Sequence, residues 1–215
     1  MNRVAAIVLC SAALLCGLAP ARADDDVTLY HRSVAAGGSD AIASTGRTAM
    51  HFHVSSAYAM RIYVQAIRYF NPGIDEAEAQ QIVYAIVSEA RSAGIDPRLV
   101  VAIVATESAF DRTARSSAGA LGLGQLMPST AAADGVGDTS DISQNIHGTV
   151  LTLKGNLEHY AGLDPQRQYE FAIAAYNAGT GAVDRYNGVP PYDETINYVT
   201  KVIALWRRFY GKSSS

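Results

Sequence analysis

The sequence predicts a mainly α-helical protein. Apolar residues recur at three- and four-residue intervals in several separate segments, which is the periodicity of an amphipathic helix. Acidic residues precede these segments and glycines follow them, as at helix starts and stops. No segment shows the sustained alternation typical of a half-buried strand. Hydrophobic residues form 49% of the chain and charged residues 17%, which excludes disorder as the dominant state, because this much apolar surface offsets the entropy of ordering.

Two helices are predicted in the first part of the chain. The first covers 56–70 and ends at the Asn-Pro-Gly sequence at 71–73. Before the second, Asp75 and Glu78 have the spacing of a capping box. Apolar residues then recur at helical spacing until Gly94, which is a natural C-terminal stop.

The next helix is predicted to begin at Asp96 and Pro97 and to run to about Ser108, because Asp is a favoured N-cap and Pro a favoured first helical residue. Gly179 and Gly181 interrupt the chain further on. The remaining predicted helices are a short one from 128, then 141–160, 164–177 and 193–211.

Residues 1–23 have the three parts of a secretory signal peptide. Arg3 provides the positive start, 4–18 is apolar or small without charge, and small residues precede a predicted cut after Ala23. The alternative is a membrane anchor. The strongly apolar run is shorter than the ~20 residues that a spanning helix needs, so the cleaved signal is favoured.

The mature chain is predicted to be a soluble periplasmic or secreted protein. Both cysteines, Cys10 and Cys16, lie within the signal peptide, so no disulfide is expected afterwards. The formal net charge of −3 argues against a nucleic-acid binder. Contact with the membrane is expected only through the signal peptide before its cleavage. Residues 24–70 are interpreted as an N-terminal extension, partly linker with one helix, and 71–215 as the main domain.

One carboxylate occupies a position where an apolar residue is expected. Leu99, Ile103 and Glu107 are four residues apart and therefore stack on one helix face. Burial and the negative end of the helix dipole both favour the neutral acid, which raises the pKa. A general acid near neutral pH needs such a shift. The alternative is that Glu107 simply turns out to solvent at the helix end.

Four sequence blocks, taken in order, resemble the soluble lytic transglycosylases of bacteria, relatives of goose-type lysozyme. They are Glu107-Ser108, SAGALGLGQLMPSTA at 117–131, AYNAG at 175–179 and ETINYV at 194–199. The resemblance covers about residues 95–209. It implies a lysozyme-like helical fold with a substrate groove for the glycan strands of peptidoglycan. It also implies a bacterial cell-wall enzyme that needs no metal or organic cofactor.

The resemblance implies a single catalytic carboxylate, Glu107. This residue protonates the glycosidic oxygen between N-acetylmuramic acid and N-acetylglucosamine. It then takes the proton from the C6 hydroxyl that attacks C1, which leaves a 1,6-anhydromuramoyl end. No second acidic residue is marked out by pattern, although many glycosidases use two. A metal site is not favoured, because the five histidines do not have the spacing of converging ligands.

The resemblance also assigns supporting residues. Tyr198 is expected to hydrogen-bond the catalytic carboxylate, Tyr176 and Asn177 to line the groove, and Ser108 to support local geometry. Gln125 carries an amide suited to N-acetyl and hydroxyl groups. Tyr176 is equally consistent with a packed core aromatic.

Two positions carry open alternatives. Many family members have Met where this chain has Gly124, and the glycine could alter local shape or a sugar contact. The glycines of this stretch suit close approach of backbone to a sugar, or are simply turn residues. Glu194 is interpreted as support for the start of the last helix rather than as a catalytic group.

Two other functions stay open at this point. A hydrolase on the same scaffold would use water in place of the C6 hydroxyl. A low-turnover glycan-binding or assembly protein would dock to an envelope-spanning secretion or conjugation machine, with residues 24–70 as the candidate docking segment. The intact Glu107 motif argues against a purely structural role.

Overall fold

In the computed structural model, residues 60–210 are described. The predicted signal peptide and most of the predicted extension lie outside this range. The described part is helical with no strand longer than an isolated bridge, which confirms the mainly α class. The helices are α1 (60–70), α2 (Glu76–Ser92), α3 (Pro97–Glu107), α4 (Pro128–Ala133), α5 (Ile142–His159), α6 (Pro165–Ala178), α7 (Thr180–Tyr186) and α8 (Asp193–Tyr210).

Aspartate side chains begin four of these helices, as the sequence indicates. Each accepts a hydrogen bond from a backbone N–H of the first turn, and the caps are Asp75, Asp96, Asp141 and Asp164. The capping box at α2 is only half formed. Glu78 does not complete the box, because its carboxylate pairs with Arg112 at 3.2 Å.

The short helix α7 was not predicted. Gly179 has a positive φ of 80°, which turns the chain at the end of α6 so that a new helix starts at Thr180. Asn187 ends α7 in the left-handed conformation. The glycines at 179 and 181 therefore mark a junction between two helices rather than an irregular loop.

Helix α3 lies at the centre of the fold. All seven residues from Leu99 to Ala105 are buried, as expected of a helix that is apolar on every side. It packs between α2 and α8, while α6 packs on α5, α7 and α8. Helix α1 joins the same core through Ile67, which is fully buried. Glu107 is thus the last residue of the most buried helix.

The two ends of α3 are both held by α8. At the start of α3, Asp96 accepts a 2.9 Å hydrogen bond from the indole N–H of Trp206, near the end of α8. Arg98 also pairs with Asp96 at 3.0 Å. The two helices therefore run antiparallel, and the start of α8 lies near Glu107.

None of the helices between residues 60 and 210 combines the length and apolar character that a membrane crossing requires.

Candidate active site

Glu107 ends α3 at the edge of the core. Its carboxyl keeps some contact with solvent but is largely enclosed by protein, and this burial raises its pKa from 4.5 to about 7. The interaction with Tyr198 lowers the pKa, the charge of Glu194 raises it, and the charge of Lys201 lowers it, in decreasing order of effect. The carboxyl therefore keeps its proton to a higher pH than an exposed glutamate does.

Ser108 fixes the chain directly after the acid. Its backbone N–H bonds the carbonyl of Val104 at 3.1 Å and caps the helix. Its hydroxyl donates to the carbonyl of Leu123 at 2.7 Å. Ser108 therefore links the end of α3 to the glycine-rich loop at 117–127. Its side chain stabilises the chain next to Glu107.

Tyr198 places a buried hydroxyl beside Glu107. The oxygen is shielded from solvent, and no described residue offers it a hydrogen bond of standard distance and angle. Burial raises the tyrosine pKa well above 10, and the neighbouring Glu107 charge adds to this effect. The hydroxyl is therefore a neutral donor that is available to the carboxylate.

Glu194 and Lys201 share a helix face with Tyr198. The three residues are four and three positions apart on α8, so their side chains project in one direction, toward Glu107. Lys201 is half-buried and has no carboxylate within 4 Å in the described range. Burial lowers its pKa, while Glu107 opposes that shift. The charges of Glu194 and Lys201 shift the pKa of Glu107 in opposite directions, since Glu194 raises it and Lys201 lowers it.

Tyr176 contacts the glycine-rich loop from α6. Its hydroxyl donates to the carbonyl of Gly124 at 2.9 Å. Burial raises the pKa of Tyr176, and the charge of Glu107 raises it further, so this tyrosine also lies in the electrostatic surroundings of the acid. The structure thus brings Glu107, Tyr176 and Tyr198 together.

Gly124 lies where no side chain fits. A Cβ at this position would collide with the hydroxyl of Thr149 and come within 2.9 Å of the Tyr176 hydroxyl. Its N–H donates to the side chain of Asn145 at 2.8 Å. The glycine that departs from the common family pattern is therefore matched to the residues packed against it.

Gln125 and Asn177 use their side chains within the protein. The amide nitrogen of Gln125 donates to the carbonyls of Gly122 at 2.9 Å and Ala114 at 3.1 Å, which leaves its oxygen for other partners. The side-chain oxygen of Asn177 accepts a 2.8 Å bond from Thr195, which joins α6 to α8. Roles in sugar binding stay predictions for both residues.

Three residues around the site were not identified from the sequence: Asn145, Thr149 and Lys201. Asn145 is buried, and its side chain also donates to the carbonyls of Leu121 and Thr139 at 3.2 and 2.9 Å, so it organises the glycine-rich loop. A polar pair four residues apart on the inner face of a helix was the available indication. No pattern in the sequence singles out Lys201.

Between residues 60 and 210, no three His, Cys, Asp or Glu side chains cluster in a way that could hold a metal ion.

Comparisons with known proteins agree with this geometry. The model of the transglycosylase SLT domain family matches residues 85–199. A transglycosylase of Enterobacteria phage PRD1 is 42% identical over 86 residues, which are 40% of this chain and 30% of the relative. Membrane-bound lytic murein transglycosylase F of Desulfosudis oleivorans is 35% identical over 127 residues, which are 59% and 25% of the two chains. The matches span less than a third of each of these relatives.

A solved structure shows the same fold. It is an inactive mutant of lytic transglycosylase Slt from Pseudomonas aeruginosa, with a TM-score of 0.51 and 30% identity over 73% of this chain and 29% of that one. The expected lysozyme-like helical fold is confirmed. The family model covers more than half of the residues here, including the acid, the glycine-rich loop and Tyr198. This chain belongs to the transglycosylase SLT domain family.

Proposed function

We propose that the protein is a peptidoglycan lytic transglycosylase. It cleaves the β-1,4 bond between N-acetylmuramic acid and N-acetylglucosamine without water and leaves a 1,6-anhydromuramoyl end. The observation that carries the proposal is the enclosed carboxyl of Glu107 at the end of α3, near Tyr198 and Lys201, where burial raises its pKa to about 7. A group with such a pKa donates and accepts a proton with comparable ease.

The reaction needs only one carboxyl group from the protein. Glu107 donates its proton to the glycosidic oxygen, and the bond from C1 to that oxygen breaks. The N-acetyl group of the substrate stabilises the positive C1. The C6 hydroxyl of the same sugar then attacks C1, and the Glu107 carboxylate takes the hydroxyl proton. Because both reacting groups belong to one sugar, the substrate supplies the proximity.

The surroundings of Glu107 support both halves of this cycle. Burial favours the protonated acid at the start. The Tyr198 hydroxyl and the Lys201 ammonium favour the carboxylate that forms after the first transfer. The P. aeruginosa Slt structure is that of an inactive mutant in which one glutamate is replaced by glutamine. That result agrees with a single essential glutamate.

A hydrolase on the same fold is the second candidate. Glu194 favours it, because a second carboxylate acts on Glu107 from α8. Inverting and retaining glycosidases both use such a pair. In that case water attacks C1, and the product is heavier by one water molecule. A glycan-binding or assembly protein with little turnover is the third candidate.

We further propose a periplasmic or secreted location, reached through the signal peptide at 1–23. The substrate partner is the glycan strand of peptidoglycan, and a secretion or conjugation machine that spans the envelope is a proposed protein partner. The curated relatives named murein transglycosylases support the cell-wall substrate. The charge of −3 supports the exclusion of nucleic acid.

Mass spectrometry of digested peptidoglycan tests the proposal. The chain from Asp24 onward is compared with its Glu107→Gln variant and with Glu158→Gln, a control at an exposed glutamate that pairs only with Lys154 at 3.0 Å. Anhydromuropeptides are expected from the unsubstituted protein and the control, and none from Glu107→Gln. Products heavier by one water would establish the hydrolase. An active Glu107→Gln variant would remove Glu107 from the acid role.

A further inference from the structure

An open cleft of about 890 Å³ lies apart from the Glu107 site. Its walls come from α1, the first half of α2, the start of α5 and Arg112. None of the residues that surround Glu107 lines it, so it is a separate feature of the described surface. A volume of this size is within the range of ligand-binding clefts.

Two helix faces form the long walls. On α1, the cleft is lined at positions 61, 64, 65 and 68, and on α2 at 77, 80, 81 and 84. Both sets follow the spacing of residues that share one helix face. Each face lines the cleft, here called the trough, over about two helical turns, or roughly 10 Å, which is long enough to hold part of a linear polymer.

The trough presents side chains that bind sugars. Gln65 and Gln81 are exposed and make no hydrogen bond to other described residues, so their amides are available as donors and acceptors. Tyr84 is 71% exposed, and its ring offers a flat apolar face with a polar tip. An N-acetylated polysaccharide has the matching groups. Its hydroxyl and N-acetyl groups can bond the amides, and the apolar face of a sugar ring can pack on the tyrosine.

The charges of the trough are largely neutralised. Arg68 pairs with Glu76 at 3.6 Å, and Arg112 pairs with Glu78 at 3.2 Å. Asp141 uses its carboxylate to cap α5. Arg61 also lines the cleft and has no carboxylate within 4 Å among the described residues, so three arginines face the carboxylates of Glu76, Glu78 and Asp141. The net charge is therefore close to zero, which favours a ligand with little net charge.

We propose that this cleft is a second binding site for the glycan strand, distinct from the site of cleavage. The inference rests on the proposed function, since the same polymer occupies both sites. Arg112 follows Glu107 by five residues, which limits their separation to roughly 18 Å. A strand long enough to span this distance would engage both sites in the proposed arrangement, and this raises the affinity for long strands by effective concentration.

The binding test uses purified peptidoglycan sacculi and protein that carries Glu107→Gln to prevent turnover. Gln81→Ala and Tyr84→Ala are introduced singly in this background. Loss of one hydrogen bond at Gln81 is expected to weaken binding about fivefold, and Tyr84→Ala is expected to weaken it at least as much. Tyr69→Ala is the matched control. Tyr69 is a 57% exposed tyrosine on α1, but it does not line the cleft.

The activity test uses protein with an intact Glu107. Tyr84→Ala is expected to slow solubilisation of sacculi and to leave turnover of a short soluble glycan unchanged. Equal behaviour of Tyr84→Ala, Gln81→Ala and Tyr69→Ala on sacculi would overturn the second site, as would an absence of binding by the Glu107→Gln protein. Failure of the proposed function has another signature, namely no anhydromuropeptides from the unsubstituted protein, and the binding comparison remains readable in that case.

Discussion

The buried hydroxyl of Tyr198 lies against the carboxyl of Glu107 and finds no other partner in the described structure. A buried hydroxyl without a hydrogen bond is costly, by about 1–3 kcal/mol. The cost is offset when Glu107 loses its proton and becomes a strong acceptor. The pair therefore connects an unsatisfied group in the resting protein to the charged state that the proposed reaction creates.

Replacement of Tyr198 by Phe tests this connection. The interaction with Tyr198 lowers the pKa of Glu107, so its loss is expected to raise that pKa above about 7. The alkaline limb of the pH–rate profile then moves to higher pH, and the maximal rate falls by a modest factor. Stability is expected to change little, because the buried ring is kept and only the contact of the hydroxyl with Glu107 is lost. A Phe variant that unfolds would identify Tyr198 as a packing residue.

The raised pKa of Glu107 makes stability depend on pH. Between pH 4.5 and about 7 the folded protein binds a proton at Glu107 that the unfolded chain has released. Stability is therefore greatest, in this respect, below pH 4.5 and is lost as pH rises through 7. Glu107→Gln has no such dependence. At pH 8 it is expected to be more stable than the unsubstituted protein by up to about 3 kcal/mol.

Urea denaturation at pH 4 and pH 8 measures this difference. Glu158→Gln is the control, because Glu158 is exposed on α5. A stability gain in Glu107→Gln that is the same at both pH values would contradict the linkage to Glu107.

Glu194 and Lys201 are expected to move the pH–rate profile in opposite directions. Lys201 lowers the pKa of Glu107, so Lys201→Met raises it and shifts the alkaline limb upward. Glu194 raises the pKa, so Glu194→Gln shifts the same limb downward. Lys201→Arg keeps the charge and is expected to keep the profile. Shifts of the same sign in both variants would exclude the two residues from this role.

Gly124→Ala is expected to destabilise the protein by about 1–3 kcal/mol, because the new methyl group collides with Thr149. Thr149→Ala in the same chain should recover part of the loss, which a double-mutant cycle measures. Gly155→Ala is the matched control. A Cβ there has open space within α5, so this substitution is expected to stabilise by up to about 1 kcal/mol. Additive effects of the changes at 124 and 149 would show that the two positions are not coupled.

Local chemistry made most helix starts predictable. The aspartates at 75, 96, 141 and 164 were identified as start positions, and each caps its helix through a bond to a backbone N–H of the first turn. Such a bond involves neighbouring residues only, so sequence alone contains the information. Helix α7 escaped prediction because Gly179 and Gly181 weaken a helical interpretation, whereas the positive φ of Gly179 is set by the fold.

The enclosed position of Glu107 was predictable for the same reason, since this residue interrupts an apolar stripe on one helix. Lys201 and Thr149 were not, because their importance depends on contacts between helices that are distant in sequence. The failed half of the capping box has the same origin. Glu78 has the right spacing to its cap, but Arg112 approaches from another segment and takes the carboxylate.

The antiparallel packing of α3 with α8 also determines when, during folding, Glu107 acquires its raised pKa. Before α8 packs on α3, Glu107 lacks the burial that raises its pKa, and the Tyr198 hydroxyl is not beside its carboxyl. We expect it to titrate then as an ordinary exposed glutamate. The ninety residues between Glu107 and Tyr198 must be synthesised before this packing can form. A chain in which α8 has not packed on α3 would therefore lack the raised pKa of Glu107 on which the proposed reaction depends.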